Sequence, residues 1–156
     1  MLYLIIHDVR SAHNVGSLFR TADGLGVSKI YLAGYTPAPV DRFGRKDAKI
    51  AKVSLGAEDA VPWEKRDIFE LIHNLRNKNI EVVALEQSTR AVPLDTYTPS
   101  GPVALIVGNE IDGLPEDILA TSDVIIEIPM RGEKESLNVS NAGAIALYIL
   151  NKKTKI

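Results

Sequence analysis

Short apolar runs separated by helical patterns recur along the whole chain. Five runs are continuous rather than alternating in polarity, which predicts buried strands. They cover residues 2–6, 30–33, 80–85, 103–107 and 124–128. Between them, apolar side chains recur every three or four positions, which predicts helices. These cover residues 15–25, 45–52, 67–78, 116–120 and 142–150. Apolar strands that alternate with helices are typical of an α/β fold, with a mostly parallel sheet and helices on both faces.

Two connections interrupt this alternation. Residues 34–44 form a loop with two prolines, and residues 87–101 form a long irregular link. No internal repeat or low-complexity tract divides the chain, so we expect a single domain over residues 1–156. Ligands of parallel α/β sheets bind beside the carboxyl ends of the strands. Polar clusters follow three of the predicted strands, at residues 14–20, 108–113 and 132–141, and mark the expected site.

Composition removes several classes of function. The chain has no cysteine, which excludes disulfides, thiolate catalysis and Cys-ligated metals. Its three histidines are scattered, so we expect no metal site. With no membrane-length apolar run and no signal-peptide pattern, we expect a cytoplasmic protein that does not bind a membrane. The net charge of −2 counts against a nucleic-acid partner unless positive charge is concentrated locally.

The first polar cluster, at residues 14–20, opens a predicted helix. Asn14 is a favourable N-cap, and Gly16 permits close approach of another backbone or a ligand. Arg20 lies nearly two helical turns beyond Asn14, and its guanidinium can bind a phosphate bidentately. The alternative for Arg20 is a surface ion pair with a nearby aspartate.

The second polar cluster directly follows a buried strand. Gly108 there permits close approach of a ligand, and Glu110 can orient a hydroxyl or a cation such as Arg20. The alternative is that the Asn, Asp and Gly residues at 109–113 simply form a turn.

The third polar cluster follows the last strand, which stops at Pro129. Two serines and two asparagines precede the last helix, more than one N-cap requires. Ser136 and Asn138 are candidates for polar contacts with a ligand, and Leu137 can pack on a flat ring. The alternative is that all of them cap the helix.

Together the three clusters resemble the motifs of the SpoU (TrmH-like) family of SPOUT-class RNA 2′-O-ribose methyltransferases. The resemblance covers nearly the whole chain. Its motifs are Asn14, Gly16 and Arg20; Gly108, Asn109, Glu110, Gly113 and Leu114; and Ile128, Pro129, Met130, Gly132 and Ser136 to Asn141. It implies transfer of a methyl group from S-adenosylmethionine to a ribose 2′-hydroxyl of tRNA or rRNA, which leaves S-adenosylhomocysteine. It also implies a single catalytic domain without an appended RNA-binding domain, a deep C-terminal trefoil knot over about residues 80–150, and a homodimer built on the first and last helices.

The resemblance also assigns roles to residues, and it implies no metal. The catalytic residues are Arg20, Asn14, Glu110, Ser136 and Asn138. Arg20 is the family's proposed activator of the 2′-hydroxyl; because an arginine pKa lies above about 12, it can instead clamp an RNA phosphate while phosphate or water takes the proton. The cofactor-binding residues are Leu85, Glu86, Gly108, Asn109, Ile128, Met130, Ser136, Leu137 and Asn138.

Positive charge is concentrated in residues 42–52. The expected RNA contacts are Arg10, Arg42, Arg45, Lys46 and Lys49. Tyr35 or Phe43 can stack on a base beside them. The basic tail, which includes Lys155, is expected to be a solvated surface.

Two other functions compete with this assignment. A dinucleotide-binding oxidoreductase requires Gly-x-Gly-x-x-Gly directly after the first strand, and residues 2–6 are not followed by that pattern. A non-catalytic RNA-binding or dimerisation module that keeps the cofactor pocket would share the fold. The presence of Arg20, Glu110 and Asn138 favours the enzyme.

Overall fold

The computed structural model describes residues 1–154, so Lys155 of the basic tail lies outside the described residues. Within these residues, seven strands form one sheet. They are β1 (Leu2–His7), β2 (Lys29–Ala33), β3 (Trp63–Lys65), β4 (Glu81–Leu85), β5 (Val92–Pro93), β6 (Val103–Val107) and β7 (Val124–Glu127). The strand order is β3-β2-β1-β6-β4-β7-β5, and every neighbouring pair is parallel. All carboxyl ends therefore lie along one edge of the sheet.

Helices cover both faces of this sheet, which confirms the predicted α/β fold. In the described part of the chain they are α1 (Ala12–Gly24), α2 (Ala48–Ser54), α3 (Ala57–Ala60), α4 (Ile68–Asn77), α5 (Glu116–Thr121) and α6 (Val139–Thr154). Leu4 and Ile6 of β1 pack in the core that contains α1 and α6, whereas Ile5 packs in the core that contains α4 and α5. Burial on both faces explains why the strands are apolar throughout.

Two segments differ from their sequence predictions. The basic helix predicted over 45–52 begins only at Ala48, because the side chain of Asp47 caps it by accepting two backbone N–H groups. Within the predicted irregular link over 87–101, Val92–Pro93 pairs with β7 as a short edge strand.

Helix α1 packs closely against α2 because one position carries no side chain. A Cβ at Gly16 would lie only 2.7 Å from the backbone oxygen of Ile50 in α2. The close approach that Gly16 predicts is therefore to a backbone and not to a ligand.

Strand β4 lies between β6 and β7, which both come later in the chain. This is the region for which the family resemblance implies a trefoil knot, and the knot itself stays a prediction. None of the helices within residues 1–154 has the length and apolar character needed to cross a membrane.

Candidate active site

A cleft opens at the carboxyl ends of β4, β6 and β7, with a cavity volume of about 160 Å³. Parallel strands deliver their following loops to one edge, and the loops after these three strands form the walls. Most of the predicted cofactor-binding residues line the cleft: Leu85, Glu86, Gly108, Asn109, Ile128, Met130, Ser136 and Leu137. Asn138 does not line it.

Gln87 and Glu127 also line the cleft, and the sequence prediction missed both. The Nε2 group of Gln87 donates a hydrogen bond to the backbone oxygen of Ile128 at 2.8 Å. This bond joins the loop after β4 to the loop after β7. The sequence signal that could have identified these two residues was their position alone, because each lies at the carboxyl end of a strand.

Gly108 lines the cleft and also lets the chain pack closely on itself. A Cβ at Gly108 would lie 2.8 Å from the backbone of Gly113 and from the side chain of Leu114, because the intervening turn folds back on the strand. The carboxylate of Glu86 holds that turn by accepting the backbone N–H of Leu114 at 2.8 Å. Glu86 is thus an anchor of the cleft wall.

The lining of the cleft is acidic. It contains four carboxylates, from Glu86, Glu110, Asp112 and Glu127, and among the described lining residues it contains no Lys or Arg. A ligand that carries positive charge is therefore favoured here over an anion.

Glu110 joins the cleft wall to the start of α1. Its carboxylate accepts hydrogen bonds from the backbone N–H groups of Arg10 and Ser11, at 3.2 and 2.9 Å, and from Nδ2 of Asn14 at 3.3 Å. Burial raises the pKa of Glu110, but the hydrogen bonds from Ser11, Arg10 and Asn14 more than offset this and hold the pKa below its ordinary value. Glu110 is therefore an ionised acceptor at neutral pH.

The N-cap of α1 is Ser11 and not Asn14, which the sequence suggested. Ser11 caps the helix by accepting the backbone N–H of Asn14 at 3.1 Å. This leaves the Asn14 side chain to bridge Glu110 and Asn138, whose Nδ2 donates to Oδ1 of Asn14 at 3.2 Å. Asn138 in turn caps α6 through its Oδ1, which accepts the backbone N–H of Ser140 at 2.9 Å, so the helix begins at Val139, earlier than predicted. We call Asn14, Glu110 and Asn138 the amide–carboxylate network.

Arg20 stands apart from this network. Six residues along an α-helix rotate a side chain by about 600°, so Arg20 and Asn14 point about 120° apart. Arg20 is exposed, and within residues 1–154 it has neither a hydrogen bond nor an ion pair. The contact between Glu110 and Arg20 that the sequence suggested is not formed, because the hydrogen bonds of Glu110 go to the start of α1.

The loop after β2, residues 34–47, carries most of the predicted RNA contacts, and we call it the cationic loop. Its Phe43 ring is 67% exposed. The guanidinium carbons of Arg42 and Arg45 lie 4.8 and 5.1 Å from the centroid of that ring. Lys49 is exposed in the first turn of α2.

Two of these cations have partners in the chain. The Nε atom of Arg45 lies 2.8 Å from Asp41, and the Nζ atom of Lys46 lies 2.7 Å from Asp59. Arg42 has no ion-pair partner among the described residues.

Within residues 1–154, no group of three or more His, Asp and Glu side chains is placed to hold a metal ion.

Comparisons with known proteins agree with the motifs. The profile described as the SpoU rRNA Methylase family matches residues 1–148. The 23S rRNA (guanosine-2′-O-)-methyltransferase RlmB of Vibrio parahaemolyticus is 32% identical over 149 residues, which cover 94% of this chain and 57% of that protein. The RlmB of Xylella fastidiosa is 33% identical over 150 residues, with the same coverage of each. The chain thus spans little more than half the length of these curated relatives.

Solved structures give the same result. An AdoMet-bound rRNA methyltransferase from Sinorhizobium meliloti has a TM-score of 0.88 and 30% identity, and the match covers 97% of this chain and 56% of that chain. A structure named for the 2-OH methylation of C/U34 on tRNA has a TM-score of 0.82 and 26% identity, and the match covers 99% of this chain and 97% of that one. The protein belongs to the SpoU rRNA methylase family.

Proposed function

We propose that the protein is an RNA methyltransferase that transfers a methyl group from S-adenosylmethionine to a ribose 2′-hydroxyl of tRNA or rRNA. The observation that carries this proposal is the acidic cleft at the carboxyl ends of β4, β6 and β7, which residues of the second and third motifs line. Its relatives with solved structures include an AdoMet-bound rRNA methyltransferase, which supports the same cofactor here.

The residues of the cleft fit this cofactor. Leu85, Val107 and Leu137 offer apolar surface to a purine ring, and the carboxylates complement a sulfonium and an ammonium group. When bound, S-adenosylmethionine supplies a methyl group already activated by the positive charge on sulfur. Because the product lacks that charge, the acidic lining attracts the cofactor more strongly than S-adenosylhomocysteine.

Arg20 is the proposed catalytic residue, and the chain's part in catalysis is to position the reactants and to help remove one proton. Two assignments stay open for its guanidinium. It activates the 2′-hydroxyl directly, or it clamps an RNA phosphate while phosphate or water accepts the proton. The exposure of Arg20 and its lack of a partner within the described residues support either contact with RNA.

The remaining candidates divide into two groups by what they contact. Ser136 lines the cleft, so we assign it to the junction between cofactor and substrate. Asn14, Glu110 and Asn138 bind one another or the helix starts, so we assign them to positioning. The Glu110 carboxylate also lines the cleft and adds to its negative charge.

RNA is proposed to lie along the edge of the sheet that carries the cleft. The proposed phosphate contacts are Arg10, Arg42, Arg45, Lys46 and Lys49. Residues 1–156 are proposed to act as one catalytic domain in the cytoplasm.

A homodimer is also part of the proposal. Ile145 and Tyr148 are exposed large hydrophobic residues three positions apart on α6, so they share one helix face. We assign this face, together with α1, to the contact with a second copy. In that arrangement Arg20 completes a site beside the cleft of the partner subunit.

Calorimetry and mass spectrometry test the proposed function. The purified protein is titrated with S-adenosylmethionine and with NAD, and is then incubated with labelled cofactor and total RNA. We expect binding of S-adenosylmethionine alone and new 2′-O-methyl groups on RNA, at positions that are unmethylated in cells lacking the protein. Cofactor binding without transfer to any RNA would instead favour the non-catalytic module.

A further inference from the structure

A shallow groove continues from the cleft toward the cationic loop. Arg10, Ser11 and residues 109–112 line it, and residues 109–112 also line the cleft. An extended strand that leaves the cleft along this groove therefore passes directly over Arg10. The guanidinium of Arg10 in turn contacts the exposed aromatic ring of Tyr35.

Arg10 and Tyr35 lie together at the end of this groove, with the guanidinium over the ring, and we call this pair the platform. The guanidinium carbon of Arg10 lies 5.1 Å from the centroid of the Tyr35 ring, and the Tyr35 side chain is 57% exposed. Both backbones are held in place, because Arg10 N–H donates to Glu110 at 3.2 Å and Tyr35 N–H donates to Asp8 at 3.1 Å. A ring fixed at its backbone and open to solvent can stack on a base with little loss of conformational freedom.

An apolar side chain lies where the groove meets the cleft. Ile111 belongs to the linings of both cavities and is 92% exposed. Apolar side chains at such positions insert between adjacent bases and unstack them. The groove also contains the carboxylates of Glu110 and Asp112, which repel phosphate, so Arg10 is the group among its described lining residues that attracts one.

We propose that Arg10 and Tyr35 bind an unpaired nucleotide adjacent to the one whose ribose is methylated. The base stacks on Tyr35, the guanidinium of Arg10 contacts the phosphate, and Ile111 keeps the two nucleotides apart. A base within a duplex is covered on both faces by its neighbours, so this platform selects single-stranded RNA segments. The inference rests on the proposed function and specifies the kind of RNA segment that the site accepts.

Fluorescence with a defined RNA tests the platform. The probe is an unstructured 15-nucleotide RNA of mixed sequence with 2-aminopurine at its centre, compared with the same strand in a full duplex. Because stacking on one aromatic ring contributes about 1–3 kcal/mol per base, Tyr35→Ala should weaken single-strand binding about tenfold and remove the stacking-induced quenching. Tyr35→Trp should bind within about twofold of wild type.

Two further variants separate stacking from charge. Arg10→Met should reduce the slope of log K against log salt by about 0.7, the value for one phosphate contact to single-stranded RNA. Phe69→Ala removes an exposed aromatic ring on α4 and is the matched control, with unchanged affinity. Thermal unfolding and sedimentation velocity of every variant are measured in parallel.

Three results would overturn the platform. They are unchanged affinity of Tyr35→Ala, equal affinity of wild type for strand and duplex, and a change in sedimentation of Tyr35→Ala that marks the ring as a subunit contact. Failure of the proposed function is recorded separately, as absence of cofactor binding or of methyl transfer to total RNA by the wild-type protein. A wild type that methylates RNA while Tyr35→Ala binds normally refutes the platform alone.

Discussion

Asn14 and Arg20 lie six residues apart on α1, yet their surroundings are opposite. Asn14 is only 7% exposed and is hydrogen-bonded to Glu110 on one side and Asn138 on the other. Arg20 is exposed and has no partner within residues 1–154. A side chain whose polar atoms are all bonded to neighbours holds the structure, whereas one with free donors can contact a substrate. On this basis we propose a positioning role for Asn14 and a catalytic role for Arg20, two residues of one motif.

The sharpest test of this separation is Arg20→Ala. We expect methyl transfer to fall by about 10³-fold, because the variant loses the group that contacts the hydroxyl or its phosphate. Affinity for S-adenosylmethionine should stay within about twofold, and the free energy of unfolding within about 0.5 kcal/mol, because the side chain is exposed. Single-turnover transfer, calorimetry and urea unfolding measure these three quantities.

Arg20→Lys refines that experiment. Lysine keeps the charge but not the planar fork, so a large loss of transfer in this variant indicates bidentate binding of a phosphate. Weakened cofactor binding with normal turnover at saturation in Arg20→Ala would contradict the catalytic assignment.

Glu110→Gln tests the other side of the comparison. The neutral amide accepts the N–H groups of Arg10 and Ser11 more weakly than the carboxylate, so the free energy of unfolding should fall by about 1–2 kcal/mol. Transfer should fall by about tenfold, because the cleft wall and α1 lose their mutual position. Unlike Arg20→Ala, this variant is therefore expected to lose stability and activity together.

The pH dependence of the free energy of unfolding shows whether the charge of Glu110 is responsible for this loss of stability. Its pKa in the folded protein is lowered from its ordinary value of 4.5, so between the two values the unfolded chain binds more protons. The carboxylate therefore stabilises the fold fully above about pH 4.5, and this contribution is lost as the pH falls through the folded pKa. Urea unfolding from about pH 7 down to about pH 3 should show the difference between wild type and Glu110→Gln shrinking. A difference independent of pH would contradict the role of the charge.

Asn138 can be changed so that its two functions separate. Asn138→Asp keeps the oxygen that caps α6 but places an oxygen opposite Oδ1 of Asn14, whereas Asn138→Ala removes both contacts. The alanine variant should lose about 1 kcal/mol more stability, the usual contribution of an N-cap, while both variants lose transfer to a similar extent. Thermal unfolding and initial rates measure the two effects. Full activity of Asn138→Asp would show that the bond to Asn14 does not position the site.

Most of the strands were predictable because each corresponds to a continuous apolar run in the sequence. Residues buried on both faces of a parallel sheet must be apolar, and this holds for β1, β2, β4, β6 and β7. Strands β3 and β5 have three and two residues at the sheet edges, and pairing with a neighbour defines them rather than a local pattern. Neither could be predicted for that reason.

The candidate site was predictable in its location and not in its contacts. A parallel topology brings the loops after the strands to one edge, which was sufficient to locate the site, and the family resemblance then assigned residues such as Leu85 and Met130 to it. The hydrogen bond between Asn14 and Asn138 joins residues 124 positions apart, and no local pattern encodes it. The motifs therefore group these asparagines with Arg20 as one catalytic set, which the contacts divide.

The smallest expected effect is on the salt dependence of RNA binding, and it compares surface cations that have an ion-pair partner with those that do not. Arg42 and Lys49 have no ion-pair partner within the described residues, whereas Arg45 and Lys46 are paired with aspartates. The double variant Arg42→Met with Lys49→Met should reduce the slope of log K against log salt by about 1.4 for single-stranded RNA, because two free cations each release counterions. Arg45→Met with Lys46→Met should reduce it by less, because the aspartates already neutralise much of that charge. Anisotropy titrations of labelled RNA over a range of salt concentrations measure both slopes, and equal reductions would show that the ion pairs open when RNA binds.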